Sequence, residues 1–272
     1  MALLQINLLS RSLMRTVPVT VVLPVDKMTD FNAPLLPEKK YPTLYLLHGI
    51  FGSTLDWLSG TCIERYATEH DLCVVMPSGD NSFYVDRPGA NQNYGEFVGQ
   101  ELVELTRRML PLSRERKDTF IGGLSMGATT VLLASCFEFP ANVRGIIADC
   151  GFTEPYAEMQ HVLRGAGRWI PARFVLFWVN LAAHLLAGYG LHEADTRLSV
   201  AESRYPILFI HGTGDDFVPC EMTKENFAAC TAEKELILVE GAQHGCSYVK
   251  DRPRVQSALE NFLEKHLHGE EN

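Results

Sequence analysis

Residues 118–128 constrain the fold most: strand-forming Thr119, Phe120 and Ile121 run into the turn Gly122-Gly123-Leu124-Ser125-Met126-Gly127-Ala128. Residues 126–137 then continue with helical composition. The spacing Gly123-x-Ser125-x-Gly127 is that of a nucleophile elbow, a strained strand-to-helix bend at which flanking glycines remove the Cβ atoms that would block it. Taken alone, the five residues also describe an ordinary glycine-rich connection. The strand before them and the helix after them favour the elbow, and Ala128 lets that helix pack close to a neighbouring strand. Ser125 is therefore the candidate nucleophile.

The same alternation recurs along the chain. Residues 41–47, 72–76, 143–149, 207–210 and 236–240 are short, mostly apolar runs suited to strands buried on both faces. Helical patterns fall at about 54–69, 96–110, 126–137 and 251–266. Together they predict a mostly parallel central sheet with helices on both faces. Residues 1–24 read as two strands about a polar turn at 10–12, an antiparallel pair for one sheet edge. Residues 26–40 are expected to form a surface loop and 269–272 a frayed tail.

A chain of 272 residues suits one large core, so a single domain over 1–272 is expected, with an insertion at about 152–205 where the alternation lapses. Within it, residues 169–186 are conspicuously apolar, but Pro171, Arg173, Asn180 and His184 interrupt the run. A membrane span needs about 20 apolar residues, so a helical cap over a pocket is expected instead. A buried helix or an oligomer interface are the plainer alternatives, and a homo-oligomer stays open.

The net charge of -9 has the wrong sign for non-specific binding to nucleic acid or anionic membrane. The seven cysteines are odd in number and scattered, without CxxC or zinc-ligand spacing, so free thiols and no metal centre are expected. Cys150 and Cys246, near loops that carry chemistry, are read as packing rather than redox groups. Residues 1–9 lack the basic start and unbroken apolar run of a secretory signal, which favours a cytoplasmic location.

A serine hydroxyl needs a base within hydrogen-bond reach, and that base needs an acid to fix its tautomer. Ser125, Asp215 and His244 each fall just past a predicted strand, in the order that α/β-hydrolases use. His48 and His211, each before glycine at a strand end, are expected to bond loop backbone. The turn His48-Gly49-Ile50-Phe51 is where such enzymes place one oxyanion N–H, here Ile50 first and Phe51 second. Met126 would supply the other. Phe51, Phe83, Tyr84 and Trp178 are candidate substrate contacts, although the aromatics of loop 78–94 equally suit an anchor for that loop.

Residues 1 to about 127 resemble the bacterial tributyrin esterases of the esterase D-like group, through Leu46-Leu47-His48-Gly49-Ile50-Phe51-Gly52, Met76-Pro77-Ser78-Gly79-Asp80-Asn81-Ser82-Phe83-Tyr84 and Tyr94-Gly95-Glu96-Phe97. From Gly123 through 266 the chain resembles cytoplasmic α/β-hydrolases of the serine aminopeptidase-like group, through Ile147-Ala148-Asp149-Cys150-Gly151-Phe152-Thr153, Phe209-Ile210-His211-Gly212 and Asp215-Asp216-Phe217-Val218-Pro219. The switch falls at the elbow, as in a natural or engineered hybrid. Both resemblances imply the α/β-hydrolase fold and the triad Ser125, Asp215 and His244. Asp215 rather than Asp216 falls at the family position, and Asp149 is the other contender for the acid. Gln243 stands where relatives usually have glycine. The first resemblance implies short-chain carboxylic esters.

The expectation is a serine carboxylesterase for short acyl or aryl esters, working through an acyl-enzyme without metal or organic cofactor. A feruloyl-type aryl esterase, a thioesterase, an aminopeptidase-like amidase and a non-catalytic ligand-binding fold are the alternatives.

Overall fold

A computed structural model describes residues 1–27, 39–139, 143–166 and 171–268. Its eight strands are β1 (Ala2–Ser10), β2 (Arg15–Leu23), β3 (Thr43–Leu47), β4 (Cys73–Pro77), β5 (Thr119–Leu124), β6 (Gly145–Asp149), β7 (Ile207–Gly212) and β8 (Lys234–Val239). They form one sheet in the order β1-β2-β4-β3-β5-β6-β7-β8. Strands β3 to β8 run parallel, while β2 is antiparallel to both β1 and β4. This is the α/β-hydrolase architecture with an antiparallel hairpin at one edge.

The near-continuous apolar strands follow from burial on both faces. Along β3, Tyr45 and Leu47 join the core on one side of the sheet and Leu44 and Leu46 the core on the other. Along β7, Ile207 and Phe209 alternate in the same way with Leu208 and Ile210. Each such side chain contributes about 1.5–3 kcal/mol on burial. Strand β8, at the far edge, is mostly half-buried.

The helices are α1 (Asp56–Gly60), α2 (Ile63–Glu69), α3 (Tyr94–Glu96), α4 (Leu102–Met109), α5 (Met126–Ala134), α6 (Pro155–Ala166), α7 (Ala172–Ala187), α8 (Thr196–Ala201), α9 (Cys220–Ala229), α10 (Ser247–Lys250) and α11 (Arg252–His268). The helix expected over 54–69 is broken in two. Thr61 takes an extended conformation after α1, and its hydroxyl bonds the carbonyl of Trp57. The helix expected over 96–110 begins earlier, at α3, and reaches α4 through a π-helical turn at Phe97–Glu101.

Between β6 and β7 three helices, α6, α7 and α8, stand where one crossover helix would suffice. Helix α7 stops at Gly188, whose φ of 81° is the left-handed conformation that a glycine takes without strain. Among the described residues, no helix is long and apolar enough to cross a membrane. Most of the loop expected at 26–40 lies outside the described residues, as do residues 169–170 of the apolar stretch and the tail 269–272.

Candidate active site

At the end of β5 the chain bends through Ser125, with φ 53° and ψ −111°. For a residue with a Cβ this left-handed conformation costs about 1–3 kcal/mol, and the surrounding backbone has to hold it. Here the Ser125 N–H donates to the Asp149 carbonyl at 2.8 Å, and Thr129 N–H donates to the Ser125 carbonyl at 2.9 Å. The bend is so tight that a Cβ on Gly123 would lie 2.2 Å from the carbonyl carbon of Gly127, and one on Gly127 would lie 2.5 Å from the Leu47 carbonyl oxygen. These neighbours are backbone and cannot swing aside. Gly127→Ala should therefore cost about 3 kcal/mol, read as a melting midpoint lowered by about 6–12 °C.

Loops after β7 and β8 bring two distant side chains to the same rim. His244 Nε2 lies 2.8 Å from Ser125 Oγ, and His244 Nδ1 lies 2.7 Å from Asp215 Oδ2. The network assigns the proton to Nδ1, leaving Nε2 to accept from the serine hydroxyl. Asp215 Oδ1 accepts from the N–H groups of Phe217 and Val218, at 3.0 and 2.8 Å. Its other oxygen also meets His211 Nε2 at 3.1 Å, a nitrogen that donates to the Val218 carbonyl at 2.9 Å as well. Burial alone would raise the Asp215 pKa, but the hydrogen bonds from His211, His244 and Val218 outweigh it and hold the carboxyl far below the usual range. His211 does bond loop backbone as expected. Its contact with the acid was missed, though the i,i+4 spacing of His211 and Asp215 was a usable signal.

The other two acids stand apart from this chain. Asp216 is exposed, and its carbonyl accepts from His161 Nε2 at 2.9 Å. Asp149 lies at the end of β6 with Oδ1 unpartnered among the described residues, and burial pushes its carboxyl up to about 6. Gln243 is exposed beside the histidine.

Ile50 lines the same cavity as Ser125, and its N–H meets no acceptor among the described residues. The Phe51 N–H is already engaged, donating to Asn81 Oδ1 at 2.6 Å. Met126 opens α5, so its N–H has no partner within the helix. Buried His48 ties this turn down: Nδ1 donates to the Gly49 carbonyl at 2.6 Å and Nε2 accepts from Gly79 N–H at 2.9 Å.

The cavity beside Ser125 measures about 310 Å³, with Phe83 and Phe217 among its lining. Met159 and Val162 of α6 and Val175 and Val179 of α7 add apolar wall. Of the four aromatic residues expected there, Phe83 alone lines it. Phe51 is 85% exposed, in a left-handed turn. Tyr84 is buried, and its hydroxyl reaches the His48 carbonyl. Trp178 is 54% exposed, on the side of α7 that also carries Phe174 and Phe177. Loop conformation decides this for Phe51 and Tyr84 and the rotation of α7 for Trp178, and composition reports neither.

Among the described residues, one charged residue lines the cavity. Glu158 of α6 is 7% exposed, and neither carboxylate oxygen has a partner among the described residues. Burial is the main cause that raises its carboxyl to about 7. A raised carboxyl favours folding while protonated, so that stability is complete below the ordinary value of 4.5 and is lost as pH rises through about 7. Glu158→Gln should accordingly melt above the parent at pH 8, and the gap should close by pH 4.5.

One cluster among the described residues has metal-ligand geometry: atoms of Cys150, Asp215 and His244 lie within 4.8 Å of one another. Burial keeps the Cys150 thiol protonated, and Asp215 and His244 are already bonded to each other, so the set fits a metal poorly.

A family model described as "Esterase: Putative esterase" matches residues 10–252. The chain belongs to this Esterase family. It is 40% identical to the acetyl esterase of Caldicellulosiruptor saccharolyticus over 148 residues, which cover 54% of this chain and 55% of that protein. The chain spans just over half the length of the curated relatives it matches. Among solved structures, S-formylglutathione hydrolase from Staphylococcus aureus aligns over 98% of this chain and 99% of its own, with TM-score 0.67 and 21% identity. The acylaminoacyl peptidase of Pyrococcus horikoshii aligns over 100% of this chain and 43% of its own, with TM-score 0.68 and 13% identity. At such identities the two structures speak for the α/β-hydrolase fold that this Esterase family member shares with them.

Proposed function

We propose that the protein is a serine carboxylesterase that cleaves short-chain acyl or aryl esters through a covalent acyl-enzyme. The observation that carries this reading is the unbroken relay from Ser125 Oγ through His244 to Asp215, with both links under 3 Å. Ser125 attacks the ester carbonyl carbon while His244 Nε2 takes its proton. The oxygen that becomes negative is held by the N–H groups of Ile50 and Met126, at the positive end of α5. As the intermediate collapses the imidazolium returns the proton to the departing alcohol, and water then repeats the cycle on the acyl-enzyme. Asp215 stays ionised and steadies the imidazolium.

The apolar wall of the cavity suits the hydrocarbon part of an ester. Residues 152–205 act as a cap, because α6 and α7 supply much of the cavity wall, and the chain works as a single domain with that cap inserted. A small-molecule ester in the cytoplasm is the substrate setting that fits seven unpaired cysteines.

The test is a panel of p-nitrophenyl esters from acetyl to dodecanoyl, run beside a feruloyl ester, a thioester and an aminoacyl anilide. Rates should peak at the short acyl chains. A feruloyl, thioester or anilide substrate turning over faster by kcat/KM would replace this reading.

A further inference from the structure

Apart from Ser125, Glu158 is the one polar side chain among the described residues lining the cavity. The serine hydroxyl is taken up by His244, which leaves the two Glu158 oxygens, buried just behind the wall, as unpartnered acceptors among the described residues. A carboxyl withdrawn from water without a hydrogen bond is costly, so it persists where something supplies the missing donors. The surrounding charge says what kind of donor. Asp215 adds a second negative group, and among the described residues no lysine or arginine lines the cavity. His161 on the same helix is bonded to the Asp216 carbonyl, and His211 is bonded to Asp215 and Val218. Packed against α6, α7 has its Arg173 and His184 exposed. A cation bearing N–H groups would satisfy both oxygens and gain from both carboxylates.

We propose that Glu158 is a specificity-determining residue that receives a primary ammonium on the substrate, so that amino-substituted short esters are favoured over their alkyl isosteres. This rests on the reading that Ser125 attacks esters in the same cavity. The ammonium enters either through the acyl half or through the alcohol half. The proposal requires the three-torsion stem of Glu158 to turn its carboxylate into the cavity when the ammonium binds.

The test compares kcat/KM for two isosteric pairs at pH 8, where the Glu158 carboxyl is ionised: p-nitrophenyl 3-aminopropanoate against butanoate, and 3-aminopropyl acetate against butyl acetate. In the parent at least one ammonium ester should be preferred by about tenfold, and Glu158→Gln should bring that ratio to one or below. No preference in the parent, or a preference that survives the substitution, overturns the proposal. Calorimetric titration with n-butylammonium and with 1-butanol gives a readout independent of turnover, and Glu158→Met serves if the glutamine variant fails to fold. Butylammonium should bind the parent more tightly than butanol does, and the variant should lose that margin. If no ester is hydrolysed but the margin is found and lost as described, the subsite stands and the esterase reading fails. Equal binding of butylammonium by parent and variant overturns the subsite even if esters are cleaved.

Discussion

Ser125→Ala is expected to lower kcat on a short p-nitrophenyl ester by about 10⁴-fold or more, while the protein stays folded. The substitution removes one oxygen from a buried bend whose backbone is held by Asp149 and Thr129, so the melting midpoint should move by only a few degrees. What disappears is the atom that forms the acyl bond. The proposed oxyanion donors, the Ile50 and Met126 N–H groups, remain and should leave a residue of catalysis above the background rate in water. Covalent labelling by a fluorophosphonate probe should vanish in the same variant. Retention of more than about 1% of kcat, or undiminished labelling, would remove Ser125 from the mechanism.

The second large effect separates the two candidate acids. Asp215→Asn should reduce kcat by about 10³–10⁴-fold, and Asp149→Asn by less than about tenfold. At position 215 one carboxylate oxygen already serves two backbone N–H groups, and the other faces His244 Nδ1 and His211 Nε2. An amide must keep its oxygen on the backbone donors, which turns its NH₂ toward both imidazoles. The proton on His244 then moves to Nε2, the nitrogen that has to accept from the serine. Asp149 offers no such conflict, since its Oδ1 has no partner among the described residues and burial already favours its neutral form. The Asp215 carboxylate is held below its usual range, so its contribution to stability is present above the unfolded value of about 3.9 and is lost only as pH falls through the folded one. Steady-state rates on both variants decide it, and collapse in Asp149→Asn alone would reverse the assignment.

Much of the framework could be read from residue order because burial on both faces leaves an unmistakable trace. The runs at 41–47, 143–149 and 207–210 have few other uses, and β3, β6 and β7 occupy them. The elbow was equally plain, since only glycine fits at 123 and 127. The membership of the cavity was not legible. Whether Trp178 or Val179 faces inward depends on how α7 is rotated against its neighbours, and both residues are apolar. Glu158 sits in a helix whose composition looks ordinary, and its isolation becomes visible only when the side chains around it are placed. The break at Thr61 has a related cause: a hydroxyl that closes on a carbonyl four residues back can end a helix or ride within it, and local sequence does not choose.

The relay joins Ser125 to a histidine 119 positions further along, across three intervening strands and the whole three-helix insertion. During synthesis, therefore, the reactive oxygen emerges long before the base that activates it. A ribosome-bound chain that stops short of β8 holds an inert alcohol, however well its first half has folded. On the proposed relay, catalytic competence is a late event in biogenesis and a gauge of complete maturation.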